Sequence, residues 1–292
     1  MSEKRIEKKF LLLDSTTEIL VAETFFDTHG SVLRERLYAE NGELESETEN
    51  EYNEKRLLIR EHIVDGEGNS VTNEFDFDNQ GDLLETRMVF DDGTAQTTRY
   101  EKEGLLLSVT ETDPDGELIS RKEFDVDQDG RVLSERAFDE ENQLVYRGAY
   151  AYDEKGRKKE LVFNSNYMEN SFRQIWEWDD KNRMISSEVL SPKGDLVSRE
   201  YHVFEGDLLM YTEQRKNDTG KNVKITYRYA TSVKPVQITE TDFTGNILSD
   251  YYLEYNAQGH VIYQKTVTSS AYAGDYGAMG RSVNEFRIAI EY

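Results

Sequence analysis

The sequence has no cysteine, only three prolines, and no long apolar run in its 292 residues. Zero cysteine excludes disulfides, thiolate metal sites and a cysteine nucleophile, and fits a reducing compartment. No stretch approaches the ~18 consecutive apolar residues of a membrane-spanning helix. The apolar run Phe10–Leu13 stops at Asp14, short of the ~7–15 residues of a signal-peptide core. A cytoplasmic protein is the expectation. Positive charge is also scarce: 35 Lys and Arg stand against 59 Asp and Glu, a net of -24. That balance argues against a nucleic-acid binder, which needs cations for phosphates, and against an anionic membrane surface. No G-x-S-x-G elbow, phosphate-binding glycine loop or H-E-x-x-H pair occurs. No enzyme activity and no cofactor are expected.

What the sequence does contain is a repeat of about 26 residues. One class of turn follows an aromatic residue and centres on Gly30, Lys55, Gly81, Gly104, Gly130, Gly156, Asn182, Gly206, Ser232 and Gly259. A second class falls midway, at Gly42, Gly68, Gly93, Gly116, Asn142, Gly194, Gly220 and Gly245. Between turns the residues alternate, as in Leu144, Tyr146, Gly148, Tyr150 and Tyr152. Period two, aromatic enrichment and Asp/Asn/Gly turns read as β-hairpins. The predicted fold is all-β: one domain over residues 1–292, a long antiparallel meander of about twenty strands in a single twisted or curled layer. Cross-strand aromatic pairs should supply much of its stability. Two places break the rhythm, residues 164–172 and 269–282, and a last strand over 283–292 is expected to cap the sheet end.

The stretch Phe124–Arg131 spells D-x-D-x-D-G, the opening of a calcium loop. The repeat frame reads it differently. Asp127 is the recurrent turn aspartate, Asp125 sits on a strand, and the twelfth position is Arg136 where a calcium loop needs a bidentate Glu. A repeat turn, with no metal, is the expectation.

The run Tyr152-Asp153-Glu154-Lys155-Gly156-Arg157 resembles the YD repeat of the rearrangement-hotspot (RHS) proteins. Degenerate copies occur at Phe26–Gly30, Phe77–Gly81, Val126–Arg131 and Tyr255–Gly259. The resemblance implies a long sheet of hairpins. In that family the sheet spirals into a shell that encloses a toxin, or displays it at a cell surface or in a secretion apparatus.

His29, His62, His202 and His260 show no ligand spacing; His29 and His260 share one sheet edge, about nine repeats apart along the chain. The aromatic pairs Tyr150/Tyr152, Trp176/Trp178 and Tyr227/Tyr229 each point to one face and should form rows. They read either as a packing ladder or as a platform for a partner. The functional expectation is a protein-binding repeat whose acidic surface engages a basic protein, of immunity, antitoxin or secretion-accessory type. The alternatives are a shell or scaffold piece acting by assembly, and a carbohydrate-binding module using Trp176 and Trp178.

Overall fold

The computed structural model describes residues 5–13, 16–217, 222–230, 233–269 and 282–291. The alternating sequence folds as 22 antiparallel strands. They are β1 (Arg5–Leu12), β2 (Glu18–Phe26), β3 (Val32–Tyr38), β4 (Leu44–Tyr52), β5 (Leu58–Asp65), β6 (Ser70–Phe77), β7 (Leu83–Phe90) and β8 (Ala95–Glu103). Then come β9 (Leu106–Thr112), β10 (Leu118–Val126), β11 (Val132–Phe138), β12 (Leu144–Tyr152), β13 (Lys158–Ser165), β14 (Phe172–Trp178) and β15 (Met184–Leu190). The rest are β16 (Leu196–Glu205), β17 (Leu208–Lys216), β18 (Asn222–Tyr229), β19 (Pro235–Asp242), β20 (Ile247–Tyr255), β21 (Val261–Thr268) and β22 (Ser282–Glu291).

Each strand pairs with its sequence neighbours, and β1 also pairs with β22, from Ile6↔Glu291 to Leu11↔Phe286. The sheet therefore closes into a barrel. This corrects the expected open or curled sheet. It also changes the role of the last strand: β22 joins β21 to β1 and caps nothing. The seam is closed by side chains as well. Arg287 pairs with Glu18 and stacks on Phe10, and Lys9 lies over Phe286. Among the described strands closure leaves no unpaired edge, the hazard of an open sheet. Twenty-two strands at ~4.8 Å give a circumference of roughly 105 Å.

The wall is one layer thick. Substantial packing runs only between ladder neighbours. Phe25, Ala137, Leu161 and Val267 are the buried apolar residues among those described, and no side chain is fully buried. Stability thus resides in nearest-neighbour ladders, as in other repeat proteins.

The turns fall where the glycine pattern places them. Gly30, Gly81, Gly130, Gly156 and Gly259 on one rim all have positive φ, as do Gly42, Gly68, Gly93, Gly116, Gly194 and Gly245 on the other. Arg56, Asn142 and Asn182 take the same left-handed conformation where a repeat lacks glycine. Most ladders shift register one residue from a turn, as at Asp76/Phe77 and Ala137/Phe138. Such bulges bend the strand and increase its twist. The turns expected at Gly220 and Ser232, and residues 270–281 of the second irregular loop, lie outside the described residues.

Candidate functional site

The two rims are built differently. On the first rim, which carries the aromatic-led turns, one unit repeats with nearly fixed geometry. In Tyr152–Arg157 the Asp153 Oδ1 accepts the N–H groups of Lys155 (2.9 Å) and Arg157 (3.0 Å), and Oδ2 accepts from Arg157 Nε at 2.7 Å. Asp127 with Arg131 and Asp179 with Arg183 repeat this arrangement. The N–H groups of Arg131, Arg157 and Arg183 hold the three carboxyls below the usual carboxylate range, with the guanidinium bonds adding to them.

The same arginines then reach the next repeat. Arg157 stacks over the Trp178 ring at 5.6 Å and donates to the Asp179 carbonyl at 2.9 Å. Arg183 stacks over Phe204 and donates to the Gly206 carbonyl; Arg131 lies over Tyr152. Lys234 does the same with Tyr255 and the Gly259 carbonyl.

The terminal aromatics close the gap on the other side. Tyr52 donates its hydroxyl to the Val32 carbonyl at 2.9 Å, and Tyr152 to Val132 at 2.6 Å. Tyr229 reaches Leu209 at 2.9 Å, Tyr255 reaches Pro235 at 2.9 Å, and Trp178 Nε1 reaches Lys158 at 2.7 Å. Each bond joins the first-rim ends of two adjacent hairpins. Burial raises the phenols of Tyr52, Tyr152, Tyr229 and Tyr255 above their ordinary range.

The structure therefore places Tyr152, Trp178 and Tyr229 in the seams of the rim. Tyr150, Trp176 and Tyr227 stand one step inward on the same face. Tyr150 is covered by Lys158 at 4.8 Å and its phenol is pushed up to about 12 by burial and the Glu135 carboxylate. Trp176 and Tyr227 make no rim bond. β12 and β14 bring four of the six residues close together, whereas Tyr227 and Tyr229 sit four strands farther on. These six rings make no ring-on-ring contact with one another. A 26-residue period places them two strands, ~9.6 Å, apart, and cations fill the intervening space. The ring-on-ring contacts lie elsewhere, in a chain of Tyr146, Phe163 and Phe172 with centroids 4.8 and 4.9 Å apart. Gly148 makes room there: a Cβ would lie 2.9 Å from the Glu135 side chain and 3.2 Å from Leu161.

On the second rim the first irregular segment is a 3-10 turn, Met168–Asn170, between β13 and β14. Asn166 fastens it to β12 through the Val145 carbonyl, while Tyr167 and Met168 are 63% and 77% exposed. Beside it a hollow of about 370 Å³ is lined by Val162, Arg173, Leu190 and the Ser191–Gly194 turn.

Charge is unevenly spread around the barrel. Residues 1–150 carry 38 acidic and 17 basic side chains, a net of -21, whereas residues 151–292 carry 21 and 18, a net of -3. Ring closure makes these two facing arcs. On the acidic arc Glu45, Glu49, Glu101 and Glu103 are exposed and form no ion pair.

The calcium-like carboxylates diverge. Asp125 bonds Ser134 and Arg136, Asp127 caps its turn, and Asp129 pairs with Arg131 at 2.9 Å. Among the described residues no cluster of metal-ligating side chains is present. His62 and His202 each bond a threonine on the next strand, Thr72 and Thr212. Closure also shortens one expected separation: His29 and His260, nine repeats apart along the chain, lie on turns only four strands apart across the seam.

No family model and no curated protein match this sequence. Among solved structures, a chain of the TcdB2-TccC3-Cdc42 crystal structure aligns with a TM-score of 0.42 and 11% identity over 89% of this chain; the match spans 17% of that chain. A porin-like protein from Bacteroides uniformis aligns at 0.34 and 10% identity, covering 99% of this chain and 96% of that one. One from Bacteroides vulgatus aligns at 0.28 and 15%, covering 86% and 98%. With scores this low, none of them assigns a partner, a location or an activity to this chain.

Proposed function

We propose that the protein is a non-enzymatic binding barrel that holds a basic protein partner against its acidic arc. The observation that carries this reading is the arc itself: a net of -21 within residues 1–150 of a chain of net -24. Concentrated charge of one sign steers an oppositely charged partner and fixes its orientation. An immunity, antitoxin or secretion-accessory role suits such a surface. The aromatic pairs contribute chiefly to the wall, and Trp176 and Tyr227, half-buried and without a rim bond, are the members left for partner contact.

Closure favours a second reading, a shell around cargo. The barrel has no free strand edge for edge-to-edge assembly, so a scaffold role would have to work by enclosure.

The test is affinity capture from the native host at ~50 mM and ~500 mM salt, in parallel with a variant carrying Gln at positions 45, 49, 101 and 103. Exposed charge pairs weaken as the Debye length falls below ~10 Å. One stoichiometric basic protein, released by salt and lost in the variant, supports the proposal. Capture that is insensitive to both, or no capture, contradicts it.

A further inference from the structure

We propose that the charged face of β11–β14 holds a second site, specific for a small molecule bearing a carboxylate or phosphate group. Among the described arginines, Arg147 alone has no ion pair, hydrogen bond or ring contact. It is exposed on β12, and the residue directly opposite it on β11 is Arg136. Like charges in that relation destabilise a sheet. Other arginines of the wall are paired with acids on the next strand, as Arg36 is with Glu47 and Arg87 with Glu74. An excess of 24 negative charges makes acids abundant, yet none forms an ion pair with Arg147.

The surroundings form a receptor. On its other side Arg147 faces Asn164 of β13. The adjacent row, Ser134↔Ala149↔Val162, is made of small side chains and sinks below the arginines. The result is a hollow of about 330 Å³. Arg136 spends its Nη2 on Glu123 (3.3 Å) and Asp125 (3.4 Å), which leaves its buried Nε without a partner. Two acidic residues lie in the lining: Asp125 is already engaged by Ser134 and Arg136, and Glu135 sets its side chain against Gly148 and Tyr150. The neighbouring hollow shares Val162 and Asn164 and brings in Arg173, itself paired with Glu160.

A guanidinium fork reads oxyanions through two parallel N–H bonds. Arg147 supplies a fork with nothing bound to it, Arg136 a spare donor, and Asn164 an amide. Ala149 and Val162 offer a short apolar floor. These groups select an oxyanion carried on a small apolar body. Occupation would also relieve the Arg136–Arg147 repulsion. The site lies where the acidic arc ends, on β11 to β13, and does not rest on the proposed function, since it recognises the opposite charge.

The test is an NMR titration of the arginine Nε–Hε signals with phenyl phosphate, benzoate and uncharged benzamide. The expected result is saturable movement of the Arg147 and Arg136 signals with one or both anions and none with benzamide. R147Q should weaken binding at least about tenfold, and R147K should fall between, because it keeps the charge and loses the fork. R147Q should melt no lower than the parent, which checks folding and follows from removal of the like-charge pair. Three results would each overturn the proposal: no saturable shift below ~10 mM, equal shifts with benzamide, or unchanged affinity in R147Q.

Discussion

The two rims of the barrel are made from the same kind of hairpin and are held in different ways. On the first rim, side chains pass from hairpin to hairpin: a Tyr or Trp donates backward to one carbonyl, and an Arg or Lys donates forward to another. On the second rim the links are fewer and more varied. Gly66 donates its N–H to the Glu45 carbonyl, Asp91 accepts from Ser70, and Arg121 bonds Asn142. That rim also carries the irregular Met168–Asn170 turn. The contrast teaches how a wall without a core stays in register. One rim is stapled by residues, Tyr152, Trp178 and Tyr229 among them, that read in the sequence either as a packing ladder or as a binding platform, and this frees the other rim to vary.

Five perturbations sharpen or break this contrast. The largest effect should come from acid. Asp127, Asp153 and Asp179 have depressed pKa values, and so does Asp242 on the second rim, drawn down to about 2 by the Thr244 and Asn246 side chains. A depressed carboxyl adds stability above its unfolded value near 3.8 and loses it as the pH falls through the folded value. Both rims should therefore hold from pH 7 to 5 and loosen between about pH 4 and 2. Hydrogen exchange across that range should show first-rim amides opening last, because their aromatic–carbonyl bonds do not titrate there.

The next largest effect is Trp178→Ala, which removes an indole, its bond to Lys158 and the stack under Arg157. A loss of about 2–3 kcal/mol is expected in urea melts, below the full-core value because the ring is half-buried. Gly156→Ala should follow at about 1–2 kcal/mol. Its φ is +77°, and a Cβ would lie 2.6 Å from Arg131 Nη1. Tyr152→Phe isolates a single rim bond and should cost about 1 kcal/mol. The smallest effect belongs to the second rim: Tyr167→Ala with Met168→Ala should change stability by no more than about 0.5 kcal/mol. A larger loss there would mean that the irregular turn is a staple too.

The strands and turns were legible because both are local. Alternation fixes the faces, and a left-handed position after Asp-x-x fixes the hairpin, even where Arg56 or Asn182 stands in for glycine. Closure was not legible, because it depends on β1 and β22 finding each other across nearly the whole chain. The trace in the sequence is slight: Lys9 and Phe10 on one strand, Phe286 and Arg287 on the other, which become cation–ring pairs only in the right register. The fate of the aromatics was half legible. Their common face follows from period two, but their partners belong to neighbouring strands, where the arginines after Gly130, Gly156 and Asn182 supplied the missing clue. Arg147 was invisible by pattern, since its distinction is an absence of partners that only the folded wall defines.

Ring closure underlies the facing arcs and the two continuous rims, and one measurement tests it most directly. The chain has no cysteine of its own, so a single engineered pair can be read cleanly. Lys8 and Ala289 are directly opposed in the β1–β22 ladder. With both changed to cysteine, a closed barrel predicts rapid formation of an intramolecular disulfide under mild oxidation, seen by mass spectrometry as one N-terminal peptide joined to one C-terminal peptide in a monomer. Free thiols, or disulfides only between molecules, would contradict closure.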